Sequence, residues 1–156
     1  MSEVKKIGII GAGLMGHGIA QVFAVHGYAV TLMDVKDDLL YMAVQNIRSN
    51  LTLMANHGIG RKEDIEPAIN RISTTVRLEE AAEGADFIVE AVLEDPVLKQ
   101  QIFRDLDAYC PEETILATNT SVISITEIAE KSSKRERILG THFWNPPYLI
   151  PLVFGT

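Results

Sequence analysis

The chain has 156 residues, the size of one domain, and its 47% hydrophobic and 22% charged residues exclude the disordered and fibrous classes. Because 21 acidic residues face 14 basic ones, giving a net charge of -7, no nucleic-acid or membrane partner is expected. A single cysteine, Cys110, cannot form an internal disulfide, and we expect it to be a buried packing residue of a cytoplasmic protein.

Short apolar runs alternate with segments of helical periodicity along the whole chain. Strands are predicted at residues 4–10, 28–33, 71–76, 85–91, 114–118 and 137–142. Helices are predicted from residue 14 to the stop at Gly27, and at residues 37–57, 64–70, 78–83, 96–109 and 123–131. This alternation predicts an α/β fold of the Rossmann type, a doubly wound, mainly parallel sheet in the order 3-2-1-4-5-6 with helices on both faces. Residues 37–70, after the second strand, are expected to form a helical arm.

A glycine motif, GxGxxG, stands between the first predicted strand and the first predicted helix, at Gly11, Gly13 and Gly16. The motif alone is weak, but here it follows a strand, opens a helix and precedes an acidic residue at the end of the next strand. Gly11 is expected to permit the tight turn, Gly13 the approach of a pyrophosphate, and Gly16 close packing of helix on strand. The N–H groups of the helix start, with Leu14 and Met15, then face the phosphates.

Asp34 ends the second predicted strand and is the acidic residue of this pattern. A carboxylate there accepts hydrogen bonds from ribose hydroxyls and repels a 2′-phosphate, which favours NAD over NADP. Lys36 would soften that preference, and a role for Asp34 as a helix N-cap is the alternative. NAD is the only cofactor predicted, and no metal site is expected.

Polar residues also stand at the ends of three later predicted strands. They lie in the stretches from Glu90 to Lys99, from Asn119 to Ser121 and from His142 to Pro147. Because the carboxyl ends of parallel strands share one edge of the sheet, these groups are expected to converge on one crevice.

Four segments carry a resemblance to a known family, the L-3-hydroxyacyl-CoA dehydrogenases. GAGLMGHGIAQ, VEAVLEDPVLK, ATNTSVISI and GTHFWNPPYLIPLV resemble that family's signatures in order and spacing, and the resemblance covers essentially the whole chain. It implies an oxidoreductase of fatty-acid β-oxidation that transfers hydride between the 3-hydroxy group of an acyl-CoA and NAD.

The resemblance also implies a role for individual residues. It places Asp34 on the adenosine ribose, Glu94 and Lys99 near the nicotinamide, Asn119 among the cofactor-binding residues, Ser121 beside nicotinamide and substrate oxygen, Asn145 near the nicotinamide, and His142 as catalytic base. Histidine suits that task because its pKa lies near neutrality.

The chain departs from the family pattern at its end. The family has a glutamate that orients the histidine where this chain has Phe154, and Gly155 and Thr156 look unlike the family's continuing strand. We expect residues 1–156 to be one NAD-binding domain without the family's C-terminal helical domain, through which family members form homodimers. Activity of this chain alone is therefore expected to be low.

Three further points stay open. The segment Pro146 to Leu152 is also similar to gulonate and carnitine dehydrogenases, so the substrate is either an acyl-CoA or another 3-hydroxy acid or polyol. The arm resembles the family's coenzyme A-contacting helices, with Arg61 and Lys62 as candidate phosphate contacts, but an ordinary solvated helix pair explains it almost as well. A non-catalytic NAD-binding module is the remaining alternative.

Overall fold

The computed structural model describes residues 4–156 and shows a seven-stranded sheet covered by helices on both faces. The strands are β1 Lys6–Ile10, β2 Ala29–Met33, β3 Ile72–Thr75, β4 Phe87–Glu90, β5 Ile115–Thr118, β6 Ile138–Phe143 and β7 Val153–Gly155. The helices are α1 Leu14–Val25, α2 Asp37–Asn56, α3 Ile65–Ile69, α4 Leu78–Ala82, α5 Pro96–Tyr109 and α6 Ile125–Ile128. Short 3-10 turns occupy Lys62–Asp64, Ala129–Lys131 and Arg135–Arg137.

The strand order is β3-β2-β1-β4-β5-β6-β7, and the first six strands are parallel. This confirms the predicted Rossmann order. The chain winds outward from β1 in one direction and then returns to add β4 on its other side. The carboxyl ends of β1 and β4 therefore lie on either side of a crevice, at the point where the direction of winding reverses.

The seventh strand was not predicted. Val153–Gly155 runs antiparallel to β6, with Phe154 paired to His142 and Gly155 to Thr141. Gly155 belongs to this strand, and Thr156 follows it, with its backbone N and O bonded to Gly140. A three-residue edge strand whose residues are all exposed has no alternation of burial that a sequence pattern could show.

The core is divided between the two faces of the sheet. Ile7 and Ile9 of β1 pack with α1, α2 and α3, whereas Ile10 packs with α4, α5 and α6. Both faces are apolar, which explains why the strands lack polar alternation. Cys110 is buried on the second face, and burial raises the pKa of its thiol to about 11, as the packing interpretation predicts.

Most boundaries differ from the predictions by one or two residues, and the largest difference is in the last predicted helix. The helix predicted over 123–131 is α6 followed by a 3-10 turn, because residues 119–124 instead form a loop in which Ile123 N donates to Thr120 Oγ1. The strand predicted over 137–142 begins one residue later and ends one residue later, at Ile138–Phe143. Arg137 is held outside it by Asp107 of α5, with Nη2 and Oδ1 2.8 Å apart.

The predicted arm is present as α2 and α3. Arg48 of α2 forms a salt bridge with Glu66 of α3, and Asn50 donates to Gln21 of α1 over 3.1 Å. Arg61 pairs with Asp64 and Glu63, so two carboxylates neutralise one of the two candidate phosphate contacts. Within residues 4–156, no helix is both long and apolar enough to cross a membrane.

Candidate cofactor-binding and catalytic site

The glycine loop, residues 11–16, turns the chain from β1 into α1. Gly11 has φ 102°, a left-handed conformation that favours glycine, and a Cβ there would lie 2.7 Å from the Ala91 carbonyl oxygen. Gly11 N donates to Met33 O over 2.8 Å, which ties the turn to the end of β2. The sheet edge therefore requires glycine at this position.

Gly13 and Gly16 differ in what surrounds them. A Cβ at Gly16 would lie 1.7 Å from the Gly11 carbonyl oxygen but 3.7 Å from the nearest atom of Ile9 in β1. The close approach at Gly16 is thus between the helix and the backbone of the glycine loop. The predicted close packing of the helix on the strand is the smaller constraint at this position. A Cβ at Gly13, the residue before α1, would meet nothing within 4 Å.

The open space at Gly13 lies at the amino end of a 12-residue helix, and no side chain caps that end. Leu14 is exposed and Met15 is half-buried beside this space. Unpaired N–H groups at a helix start attract phosphate. The glycine loop therefore fits a dinucleotide pyrophosphate, and a side chain at residue 13 would enter the space that it needs.

Asp34 follows β2 and reaches back to the glycine loop. Its Oδ2 accepts from Ala12 N over 2.7 Å, and its Oδ1 accepts from Val35 N over 2.7 Å. The residue preceding α2 is Lys36, whose side chain makes no capping bond, so Asp34 is not the helix N-cap. Its half-buried carboxylate stands beside the loop with lone pairs left for further donors.

A second group of residues forms the other side of the crevice, at the carboxyl ends of β4 and β5. A cavity of about 380 Å³ there is lined by Met15, Ala91, Val92, Glu94, Lys99, Asn119, Ser121 and Val122. Met15 belongs to the glycine loop, so this cavity adjoins the proposed phosphate position. The size and position suit the far half of a dinucleotide.

Two charged side chains, Glu94 and Lys99, line this cavity, and Lys99 is bonded to the buried Glu90. We call Glu90, Glu94 and Lys99 the acid-lysine cluster. Lys99 Nζ donates to Glu90 Oε1 over 2.7 Å and lies 3.2 Å from Glu94 Oε2, while Thr118 Oγ1 donates to Glu90 Oε2 over 2.7 Å. The sequence predicted roles for Glu94 and Lys99, placed Glu90 only at the start of a polar stretch, and gave no indication of Thr118. An acidic residue inside the apolar run FIVEAV was the available signal, because a buried charge needs a partner.

Glu94 connects the cluster to the loop after β5. Its Oε1 accepts from Thr120 Oγ1, from Ser121 N over 2.9 Å and from Val122 N over 3.3 Å. Partial burial alone would raise the pKa of Glu94, but the hydrogen bonds from Thr120 and Ser121 and the charge of Lys99 outweigh it and lower the pKa. Glu94 is thus an anion that fixes the backbone of Ser121.

Ser121 and His142 meet at the carboxyl ends of β5 and β6. Ser121 Oγ lies 3.3 Å from His142 Nδ1. A second cavity, of about 410 Å³, is lined by residues 120–125 together with Gly140, His142, Phe154 and Thr156. Ser121 lines both cavities, so this hydroxyl stands between the proposed cofactor position and an adjacent space that contains the histidine.

The remaining predicted residues have different surroundings. Asn119 Oδ1 accepts from Phe143 N over 2.9 Å, which joins the ends of β5 and β6. Asn145 is exposed in the turn after β6, and no hydrogen bond joins its side chain to another described residue. The Phe154 ring lies against Trp144, with ring centroids 6.3 Å apart, and offers no acceptor to His142 on the paired strand.

Comparison with known proteins agrees with this geometry. Residues 6–153 match the family model described as 3-hydroxyacyl-CoA dehydrogenase, NAD binding domain. A probable 3-hydroxybutyryl-CoA dehydrogenase of Bacillus subtilis is 40% identical over 151 residues, 97% of this chain and 52% of that protein. The glyoxysomal fatty acid beta-oxidation multifunctional protein MFP-a of Cucumis sativus is 39% identical over 97% of this chain and 21% of its own length.

A solved structure shows the same architecture. The crystal structure of 3-hydroxybutyryl-CoA dehydrogenase from Escherichia coli K12 superposes with a TM-score of 0.94 at 36% identity, over 99% of this chain and 32% of that one. The chain thus spans between about a fifth and about half of the length of these relatives. It belongs to the 3-hydroxyacyl-CoA dehydrogenase family, as a domain of the type that binds NAD.

Proposed function

We propose that this chain is the cofactor-binding part of an enzyme that oxidises the 3-hydroxyl group of an acyl-CoA, with His142 as the base. The observation that carries the proposal is the Ser121–His142 pair, 3.3 Å apart, at the boundary between the two cavities. A hydroxyl and an imidazole at the edge of a dinucleotide crevice are the groups that alcohol oxidation needs.

In this proposal the residues on the cofactor side hold NAD in one orientation. The glycine loop receives the pyrophosphate, with Leu14 and Met15 beside it, and Asp34 accepts from the ribose hydroxyls. Glu94, Lys99 and Asn145 would hold the nicotinamide half, and Asn119 would also belong to the cofactor-binding residues. When bound, NAD supplies the acceptor for the hydride that leaves the alcohol carbon.

His142 and Ser121 act on the substrate hydroxyl. The imidazole takes the hydroxyl proton while the C–H hydride leaves, so that the alcohol becomes a ketone, and it returns the proton in the reverse direction. The Ser121 hydroxyl donates a hydrogen bond that positions the substrate oxygen. Its own position is fixed because Ser121 N is bonded to the Glu94 carboxylate.

Phe154 limits this chemistry. Residue 154 lies directly opposite His142 on the antiparallel pair, a separation at which cross-strand side chains touch. A carboxylate there would stabilise the imidazolium and fix its tautomer, whereas phenylalanine does neither. We therefore infer slow turnover in this chain, which Phe154→Glu is expected to raise by up to about tenfold.

The relatives' names favour an acyl-CoA over the gulonate or carnitine alternatives, since two of the matching relatives are called a probable 3-hydroxybutyryl-CoA dehydrogenase and a fatty acid beta-oxidation multifunctional protein. We infer one domain over residues 1–156 and a homodimer in longer family members. A cytoplasmic location is proposed from the single cysteine; matching relatives include proteins named mitochondrial and peroxisomal.

The test is NADH formation from NAD and 3-hydroxybutyryl-CoA by the 156-residue chain, beside its His142→Ala and Phe154→Glu variants. We expect slow turnover that His142→Ala abolishes and Phe154→Glu raises, with no NADH formed from gulonate or carnitine. Tight NAD binding without any substrate-dependent NADH in the unmutated chain or Phe154→Glu would favour the non-catalytic module instead.

A further inference from the structure

The acid-lysine cluster holds an excess of one negative charge. Glu90 and Lys99 are 0% and 1% exposed, whereas the Glu94 side chain is 38% exposed at the cavity. Two carboxylates thus share one ammonium group. A simple salt bridge between β4 and α5 would need only one of those carboxylates.

Glu90 accepts hydrogen bonds at both of its carboxyl oxygens. Its Oε1 accepts from Val92 N and Lys99 Nζ, each over 2.7 Å, and its Oε2 accepts from Thr118 Oγ1 over 2.7 Å. Three donors directed at one carboxyl group favour the anion. Lys99 in turn donates to Glu90 and approaches Glu94, which is the environment of a charged ammonium group.

The surrounding charges leave this excess in place. Lys99 lies in the first turn of α5, whose positive amino end is offset by the Asp95 carboxylate that accepts from Leu98 N over 2.8 Å. Glu94 and Lys99 line the cavity itself. The excess negative charge is therefore presented to whatever occupies that cavity.

The two redox forms of NAD differ in charge at one place, because the oxidised nicotinamide ring carries a positive charge and the reduced ring carries none. We propose that Glu90 is a positioning residue that, through Lys99 and Glu94, gives the cavity its excess negative charge and so favours NAD⁺ over NADH. The inference rests on NAD binding in this crevice but not on turnover. A purely structural Glu90 would alter stability and leave that preference unchanged.

The experiment measures dissociation constants for NAD⁺, NADH and ADP-ribose by titration calorimetry, in the unmutated chain and in Glu90→Gln. The glutamine keeps the shape of the side chain, and its amide can donate to Thr118. We expect the ratio of the NADH constant to the NAD⁺ constant to fall about three- to tenfold, the size of a unit charge acting through partly hydrated protein. ADP-ribose, which lacks the nicotinamide, should bind both chains equally.

Two matched variants separate charge from structure. Thr118→Val removes a hydrogen bond from Glu90 without changing any charge, and the ratio should stay as in the unmutated chain. Glu90→Gln/Lys99→Met removes one charge of each sign, so the net charge and the ratio should return to their original values even where both affinities fall. If Glu90→Gln does not fold, Glu94→Gln removes the same charge from the exposed member and should lower the ratio likewise.

An unchanged ratio in folded Glu90→Gln, or in Glu94→Gln if that variant replaces it, overturns the proposal. So does an equal fall of the ratio in Thr118→Val. Failure of the unmutated chain to bind ADP-ribose would contradict the assignment of this crevice to NAD. Failure of the alcohol oxidation is a separate result, because it appears only in the NADH-formation assay and the binding measurements do not depend on it.

Discussion

The glycine loop with Asp34 and the acid-lysine cluster with Ser121 face the same crevice, but they are assembled differently. In the first region the backbone forms the site, within 24 residues of chain from Gly11 to Asp34. In the second region side chains form it, and Glu90 bonds to Thr118, 28 residues away. The first region can be read from local sequence, and the second depends on which strands are neighbours.

This difference also separates two kinds of function. Backbone N–H groups bind a phosphate whatever the redox state of the distant nicotinamide ring. Side-chain charges respond to one added charge on that ring, and the Ser121–His142 pair provides acid–base chemistry that backbone groups lack. Substitutions in the first region should therefore reduce cofactor affinity, whereas substitutions in the second region should change the preference between the redox forms or the turnover.

The largest expected effect is loss of cofactor binding in Gly13→Val. A Cβ at residue 13 meets nothing within 4 Å, so the valine occupies only the space that the pyrophosphate needs. We expect NAD affinity to fall at least about 100-fold, while the unfolding free energy without cofactor changes by about 1 kcal/mol. Titration with NAD and chemical denaturation of the same samples measure the two effects.

Gly155→Val is the matched control for that change. It places the same side chain at another position where a Cβ meets nothing within 4 Å, on β7 away from the glycine loop. NAD binding should be retained. A Gly13→Val protein that binds NAD as tightly as the unmutated chain would show that the pyrophosphate lies elsewhere.

Gly16→Ala should instead damage the fold of the same loop. The added Cβ would lie 1.7 Å from the Gly11 carbonyl oxygen, and neither atom can move away without a shift of the backbone. We expect a loss of about 3 kcal/mol in unfolding free energy. Gly13→Ala, in which the methyl group enters open space, is the comparison, and equal stability of the two variants would contradict this account.

The second region depends on a buried ion pair for its framework, and this gives a pH dependence. Asp107 and Arg137, with side chains 4% and 7% exposed, tie α5 to the turn that leads into β6 and His142. Burial opposes ionisation of Asp107, but hydrogen bonds from Ser133 and Arg137 outweigh it and lower its pKa to about 2 from 3.8. Because the folded pKa is lower, this stabilisation is present above about pH 4 and is lost as pH falls towards 2.

The expected size of that effect is about 2 kcal/mol between pH 4 and pH 2. Chemical denaturation at several pH values measures it, and Asp107→Asn should flatten the dependence in that range. Glu113→Gln, a change at an exposed turn residue, should preserve it. Identical pH profiles for Asp107→Asn and the unmutated chain would mean that the pair contributes nothing to folding.

Much of the fold was predictable because its signals are local. Alternating strands and helices gave the parallel order of six strands, and the motif with Asp34 located the crevice. β7 was missed because it is short and exposed at an edge. The helix predicted over 123–131 was too long, because a loop in which Ile123 N donates to Thr120 Oγ1 takes the place of its first turn.

The site was predictable only in part, for a related reason. The approach of the stretches that contain Ser121 and His142 was predicted from the shared edge of the strand ends, whereas the roles of these two residues came only from the family resemblance. The role of Glu90 was not predicted because its partners Thr118 and Lys99 become neighbours only after β4, β5 and α5 have packed. The Phe154–His142 pairing likewise required the antiparallel register of β6 and β7.

The smallest expected effect concerns selectivity between NAD and NADP. The Asp34 carboxylate beside the glycine loop should repel a 2′-phosphate, so we expect the unmutated chain to prefer NAD and Asp34→Ala to shrink that preference about tenfold. Asp34→Ala also removes the 2.7 Å bond to Ala12 N, which weakens the loop for both cofactors. The ratio of the NADP dissociation constant to the NAD dissociation constant cancels that shared loss. Asp34→Asn, which keeps an acceptor but removes the charge, should lower this ratio without weakening the binding of both cofactors.

Lys36→Ala is the converse control, because loss of a nearby cation should strengthen the preference for NAD. Equal affinity of the unmutated chain for NAD and NADP would show that Asp34 serves only to hold the loop.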